Sequence, residues 1–186
     1  RQEKEMSGMT AFKTRTLRAL ALGAAIALAP LGQQAAARTA PVTQATLLDR
    51  IQIEDMMVEY YSVLTQHVRH DIGEYFTDDA VLVANGHEIN GRAAIQHLYD
   101  TATDTRVQKD NTYNMLYSNP RIVVYGNTAT MDSIWTGYLS DNQYTAPRLV
   151  EQGTEHSTFV KKDGVWKITR RELVNQGGMP TFDLGY

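Results

Sequence analysis

The stretch IEDMMVEYY at positions 53–61 decides how this chain begins to fold. Its apolar residues, with one from the following turn, recur at the spacing of a single helical face: Ile53, Met56, Met57, Tyr60 and Leu64. The pattern predicts a helix over about 44–67 whose apolar face lies in the core. A buried Tyr60 hydroxyl without a partner would cost about 1–3 kcal/mol. Two interpretations of Tyr60 therefore stay open: a core side chain whose hydroxyl reaches the surface, or a side chain that points into a ligand cavity.

The residues after this helix predict a second short helix, a hairpin, a third helix and four long strands. Asn85 and Gly86 form a strong hairpin-turn signal between two short runs. The predicted elements are a helix at 72–76, strands at 80–84 and 87–89, a helix from 91 or 92 to about 102, a loop at 101–111, and strands at 112–125, 129–139, 149–161 and 165–173. Long neighbouring strands of this kind predict an antiparallel, strongly twisted sheet.

Three later segments match a known family in their order and spacing. They are FTDDA at 76–80, GRAAI at 91–95 and KDGVWKI at 162–168. Together with the Tyr60 helix they resemble SnoaL-like domains of the nuclear transport factor 2-like superfamily, over about 46–174. The resemblance implies an α+β cone, in which a curved antiparallel sheet wraps around about three N-terminal helices and encloses an apolar pocket. The implied pocket lining is Met57, Leu64, Ala84, Leu98, Met115, Trp135 and Phe159.

The superfamily includes ketosteroid isomerases, scytalone dehydratase, polyketide cyclases and many members that catalyse nothing. The resemblance places the isomerases' oxyanion-hole tyrosine at Tyr60 and their second oxyanion donor near Ser157. It places their catalytic base at Ala84, which cannot accept a proton. The dehydratases' catalytic Asp and His fall at Thr65 and Met115, which can act neither as a base nor as a proton relay. The usual catalytic machinery of these relatives is therefore expected to be absent.

One hypothesis assigns acid–base chemistry to a different set of residues. Glu155 and Ser157 alternate with His156 on the third long strand, so His156 lies on the opposite side of the sheet from the other two. The family's register turns Phe159 inward, and the resemblance therefore implies that Glu155 and Ser157 face the interior and His156 the outside. Tyr60, Glu155 and Ser157, joined by Asp132, would then converge in the cone. A buried Glu155 would have a raised pKa and could serve as an acid or a base.

The alternative interpretation makes Glu155 a structural residue. In that case its carboxylate pairs with Arg170 or Arg171 on the next strand, and only one of the two arginines can share its side of the sheet. The opposite side, which carries His156, is commonly the dimer surface in this superfamily. The resemblance therefore implies a homodimer.

Composition and charge exclude several function classes. Lys and Arg number 18 and Asp and Glu 21, a net charge of -3, so there is no electrostatic case for a nucleic-acid partner. The chain has no cysteine, which excludes disulfides, thiolate metal sites and cysteine nucleophiles. His67 and His70 lack the partner pattern of a zinc site. Neither a metal nor a cofactor is expected.

The amino-terminal residues form the pattern of an export signal. Lys13, Arg15 and Arg18 precede the apolar run 19–29, and small residues follow up to Ala37. This order predicts a secretory signal peptide cut after Ala37, which leaves a periplasmic or secreted protein with no stable membrane span. An uncleaved amphipathic anchor is the alternative.

The predicted organisation is upstream residues plus signal peptide at 1–37, a mobile leader at 38–45, a SnoaL-like domain at 46–174 and an irregular tail at 175–186. Three functions stay open for it. The first is an exported protein that binds a small apolar molecule and performs lyase- or isomerase-type acid–base chemistry. The second is a non-catalytic ligand-binding module. The third is a dimeric interaction scaffold whose cone is filled by its own side chains.

Overall fold

The computed structural model describes residues 42–65, 69–101 and 111–178. The helices are α1 (Gln44–Thr65), a 3₁₀ helix (Arg69–Tyr75) and α2 (Arg92–Thr101). The strands are β1 (Phe76–Ala84), β2 (His87–Asn90), β3 (Thr112–Tyr125), β4 (Thr128–Ser140), β5 (Arg148–Lys162) and β6 (Val165–Gly177). The predicted signal peptide, most of the loop after α2 and the end of the predicted tail lie outside the described residues.

The six strands form one sheet in the order β2-β1-β6-β5-β4-β3. The sheet is mixed, because β1 pairs parallel with β6 while the other neighbouring pairs are antiparallel. The expected antiparallel pairing therefore holds for every neighbouring pair of this sheet except β1 and β6. The four long strands form a meander, and the β1–β2 hairpin joins its β6 edge through a connection long enough to permit parallel pairing. Register shifts in four of the five strand pairs bend the sheet, and the predicted cone fold is confirmed.

Two short turns have the backbone that their sequences predict. Asn85 and Gly86 both have positive φ, 50° and 88°, as a two-residue type I′ turn requires. Asp163 and Gly164 repeat the arrangement between β5 and β6, with φ of 52° and 82°. These turns fix the register of the strands on either side.

Two element boundaries differ from the predictions because strand pairing overrides the local sequence. The predicted helix at 72–76 is a 3₁₀ helix that ends at Tyr75, and Phe76 already begins β1, where it pairs with Ile168 of β6. At the other end, β6 continues to Gly177, which pairs with Gln152 of β5. The first residues of the predicted irregular tail are therefore strand.

Helix α1 covers one side of the sheet, which we call the inner side. It buries Ile53, Met57 and Tyr60 completely, as the apolar pattern predicts. Met131, Ser157 and Phe159 face it from the sheet and are also buried, whereas residues that alternate with them lie on the outer side. Among the described residues, no helix is long and apolar enough to cross a membrane.

Candidate functional site on the inner side of the sheet

The middle of the inner side holds a buried polar cluster, the central network, whose members are Tyr60, Tyr61, Tyr99, Glu155, Ser157 and Arg171. Glu155 is its acceptor. Its Oε2 accepts hydrogen bonds from the Tyr61 hydroxyl at 2.5 Å and from Arg171 Nη2 at 3.0 Å. Its Oε1 accepts one from Ser157 Oγ at 2.6 Å. The carboxylate is thus held from three directions, and its side chain has no exposed surface.

Arg171 is the hub of the central network. Its guanidinium carbon lies 4.4 Å from the ring centroid of Tyr60 and 5.3 Å from that of Tyr61, within the range of a cation–π contact. Nη1 donates to the hydroxyls of Tyr60 and Tyr99, and Nη2 donates to that of Tyr61 at 2.8 Å. The planar fork of an arginine suits such fixed, multiple donation.

The network determines the charge states of its members. Burial alone would raise the pKa of Glu155, but the positive charge of Arg171 and the hydrogen bonds from Arg171, Ser157 and Tyr61 outweigh it and hold that pKa below its ordinary value. The expectation of a raised Glu155 pKa is therefore wrong. Burial raises the pKa of Tyr60 and Tyr61 well above the ordinary value, so both hydroxyls stay protonated. The interpretation in which Glu155 pairs with Arg171 is confirmed.

The structure brings together only part of the hypothesised acid–base set. Glu155 and Ser157 are in direct contact, while Tyr60 reaches Glu155 through Arg171. Asp132 does not join them. It lies on the outer side, more than half exposed, with His156 Nδ1 at 2.7 Å from its Oδ1. The hypothesis was wrong for Asp132 because its neighbours Met131 and Ser133 take the inward positions of β4.

The seven residues expected to line a pocket lie in or against the buried core. Buried are Met57, Leu64, Ala84, Leu98, Trp135 and Phe159, and half-buried is Met115. No titratable side chain stands at Ala84 or Met115, the positions of the relatives' base and histidine. Within the described part of the chain, no group of three His, Asp or Glu side chains is arranged to hold a metal ion.

Trp135 lies between the central network and one end of the inner side. Gly153 makes room for its indole, since a Cβ at Gly153 would lie 2.3 Å from Trp135 Cζ2 and 2.5 Å from Cε2. The ring is 3% exposed, and its Nε1–H has no hydrogen-bond partner among the described residues. Ser133 Oγ, two positions earlier on β4, and Arg171 Nε also lack a hydrogen-bond partner among the described residues. Unpaired buried donors of this kind are rare and costly.

A further buried pair, Tyr113 and Glu151, was not predicted from the sequence. The Tyr113 hydroxyl donates to Glu151 Oε1, and Glu151 is 5% exposed. The signal was available in principle, because Glu151 stands four residues before Glu155 on the same predicted strand and so on the same side. Its partner Tyr113 lies on β3, two strands away, which alternation along one strand does not show.

The Glu155–Arg171 pair makes the protein's stability depend on pH. Because the folded pKa of Glu155 lies below its unfolded value, the stabilisation is present above about pH 4.3 and is lost as the pH falls through the folded pKa. We expect the difference in free energy of unfolding between wild type and Glu155→Gln to shrink as the pH is lowered from 7 to 3. Urea denaturation at each pH measures it. Glu54→Gln on the exposed side of α1 is the control, and an equal acid dependence of that difference would contradict the assignment.

Comparison with known proteins agrees with this architecture. Residues 45–172 match the family model of the SnoaL-like domain. A structure of a putative scytalone dehydratase from Novosphingobium aromaticivorans is similar at 22% identity and a TM-score of 0.60, over 78% of this chain and 99% of that one. An NTF2-like protein with a cystatin-like fold from the same organism is similar at 20% identity and a TM-score of 0.60, over 76% of this chain and 92% of that one.

A third solved structure extends the likeness to another organism. It is a protein of unknown function with a cystatin-like fold from Nostoc punctiforme, at 18% identity and a TM-score of 0.61, over 73% of this chain and 96% of that one. No match was found among curated proteins. At such identities the solved structures show the fold, and the family model covers more than half of the chain. The chain therefore belongs to the SnoaL-like domain family, and its fold resembles that of the NTF2-like protein.

Proposed function

We propose that this is an exported SnoaL-like protein that binds a small, largely apolar molecule on the inner side, next to Trp135. The observation that carries the proposal is the buried Trp135 Nε1–H, which has no partner among the described residues. An indole nitrogen can only donate a hydrogen bond. Leaving it unpaired costs about 1–3 kcal/mol, and a ligand oxygen at this position would recover that cost.

The surroundings of Trp135 favour a flat aromatic ligand. Its partner on β3 is Tyr117, whose ring stacks on that of Tyr61 with centroids 5.6 Å apart and an interplanar angle of 18°. Met115 stands two residues before Tyr117 and packs against the core with a half-buried side chain. Aromatic and thioether surfaces with one convergent donor are typical of small-molecule sites.

The central network supports binding more than turnover. Glu155 is an ionised counter-ion with a lowered pKa, already held by three donors, and is therefore a weak base. Dehydratase activity is not inferred for this chain from the similar putative scytalone dehydratase. The positions of the usual catalytic Asp and His hold Thr65 and Met115 in this sequence. Lyase- or isomerase-type chemistry through Tyr60, Glu155 and Ser157 is thus the less favoured candidate.

A pair of probes tests the Trp135 site. Wild type should bind 2-methoxynaphthalene, which has an acceptor oxygen, about 2- to 10-fold more tightly than 2-ethylnaphthalene, which has none. In Trp135→Phe the two affinities should become equal, because the ring remains but the donor is lost. Isothermal titration calorimetry gives both dissociation constants.

Trp166→Phe is the matched control. Trp166 is equally buried, but its Nε1 already donates to Asp49 at 3.1 Å, on α1. This variant should keep the preference for the ether. A wild type that bound neither probe, or a Trp135→Phe variant that kept the preference, would contradict the proposed site.

We also infer that two copies associate through their outer sides. A row of charged or ionisable side chains crosses β3 to β6 in the order Arg121, Asp132, His156, Glu172, along a groove of about 430 Å³. Consider a twofold axis that runs parallel to the strands and passes between β4 and β5. It would place Arg121 of one copy opposite Glu172 of the second copy, and Asp132 of one copy opposite His156 of the second copy. This order is self-complementary. Light scattering that returned the mass of a single chain would contradict the inference.

A further inference from the structure

A groove runs along the flank of α1, outside the inner side of the sheet. The stripe of α1 that lines it consists of Gln52, Met56, Glu59 and Val63. These positions recur at the spacing of one helical face, so the groove follows the helix for three turns, roughly 16 Å. The 3₁₀ helix and the first residues of β6 form the opposite wall, and the groove holds about 690 Å³.

The floor of this α1 flank groove is apolar. Met56, Val63 and Tyr75 are half-buried there and pack against the core. The Trp166 ring lies buried beside them, whereas Val165, at the start of β6, is 55% exposed. The apolar side chains of a docked segment would therefore cover apolar surface that now meets water, which is favourable.

The rim of the groove is acidic on both walls. Its exposed carboxylates are Asp55 and Glu59 on α1 and Asp71 and Glu74 on the 3₁₀ helix. Exposed carboxylates carry a negative charge at neutral pH. Among the described residues that line the groove, Lys167 has the only basic side chain, and its Nζ donates to the backbone oxygen of Glu74. The groove therefore has an excess of negative charge.

Tyr75 lies where the charges of the two walls meet. Its hydroxyl shares a hydrogen bond with Glu59, and burial together with the negative charges of Glu59 and Asp71 raises the pKa of Tyr75. A carboxylate from α1 and one from the 3₁₀ helix thus act on the same hydroxyl. A cationic side chain placed beside Tyr75 would be attracted by both of them.

We propose that the α1 flank groove docks a basic segment of a partner polypeptide, in which cationic side chains alternate with apolar ones. The negative charge of both walls favours cationic side chains, and the apolar floor accepts the side chains between them. An extended segment of about five residues spans roughly 16 Å, the length of the α1 stripe. Its apolar side chains can face the floor while long lysine or arginine side chains reach the carboxylates of the rim.

Three labelled pentapeptides with blocked ends, KLKLK, KSKSK and ELELE, test the inference by fluorescence anisotropy at about 50 mM salt. Wild type should bind KLKLK about 5- to 50-fold more tightly than KSKSK, which has the same charge but no apolar side chains. It should not bind ELELE measurably. Raising the salt to about 300 mM should weaken the binding of KLKLK, because the carboxylates are exposed.

A double variant tests the contribution of the rim. Asp55→Asn with Asp71→Asn removes one carboxylate from each wall, and the affinity for KLKLK should fall about 3- to 30-fold. Glu54→Gln with Asp141→Asn is the matched control, because it removes the same charge outside the groove. Glu54 is exposed on another side of α1, and Asp141 follows β4, at the opposite end of β5 from Gly164. This control should change the affinity less than about 2-fold.

Equal losses in the two double variants would overturn the inference, because the effect would then follow net charge and not the groove. A wild type that bound ELELE as tightly as KLKLK would overturn it as well, and so would one that bound none of the three peptides. Trp135→Phe should leave the affinity for KLKLK unchanged. The groove and the proposed site next to Trp135 therefore stand or fall separately.

Discussion

Replacing Arg171 with methionine should lower the free energy of unfolding by about 3–5 kcal/mol, the cost of breaking a buried ion pair from one side. Methionine fills much of the space of the arginine, but it leaves the fully buried Glu155 carboxylate without a counter-ion. It also removes the donors to Tyr60 and Tyr61. The urea midpoint should fall while the denaturant dependence of the free energy stays unchanged.

Arg170→Met is the matched control, one residue away on the opposite side of β6. Arg170 pairs with Glu88 at 3.1 Å, but both side chains are about half exposed, so the loss should not exceed about 1 kcal/mol. The double variant Arg171→Met with Glu155→Leu should recover much of the loss of Arg171→Met, because no uncompensated charge remains. If Arg171→Met cost no more than Arg170→Met, the central network would not support the fold.

Gly153→Ala should lower the free energy of unfolding by about 1–3 kcal/mol. The new Cβ would lie 2.3 Å from Trp135 Cζ2 and 2.5 Å from the backbone oxygen of Val174. The indole can adopt another rotamer, but the backbone of β6 at Val174 is held by strand pairing and can move less. The same change should shift the fluorescence of Trp135 and weaken the binding of 2-methoxynaphthalene.

Gly177→Ala tests the same substitution where there is room. Gly177 pairs with Gln152, the residue before Gly153, and a Cβ there would meet no atom within 4 Å. Stability should be unchanged or slightly raised, because alanine restricts the unfolded chain. Equal losses in both variants would show that the cost comes from the backbone and not from the contact with Trp135. Thermal denaturation of the two proteins measures the difference.

Local patterns predicted much of this fold. The 3.6-residue spacing around Tyr60 predicted the buried face of α1, and Asn85–Gly86 predicted the type I′ turn. Alternation along β5, together with the family's register of Phe159, predicted that Glu155 and Ser157 face inward and His156 outward. Each of these signals lies within one element, where the repeat of the backbone fixes which residues share a side.

Properties that depend on distant pairing were not predictable in the same way. Nothing local to Phe76 shows that it pairs with Ile168 in a parallel ladder. Alternation could say that only one of Arg170 and Arg171 shares the side of Glu155, but not which one. The sign of the Glu155 pKa shift followed from that choice, since burial and a paired cation act in opposite directions.

Native mass spectrometry of the protein recovered after export tests whether the inner side binds a small molecule next to Trp135. We expect a chain that begins at Arg38, two copies in the assembly, and a bound small, largely apolar molecule that dissociates on mild activation. Trp135→Phe should retain less of it than Trp166→Phe. A protein that retained no small molecule, and that bound neither naphthalene probe when they were added, would show that no such site exists next to Trp135.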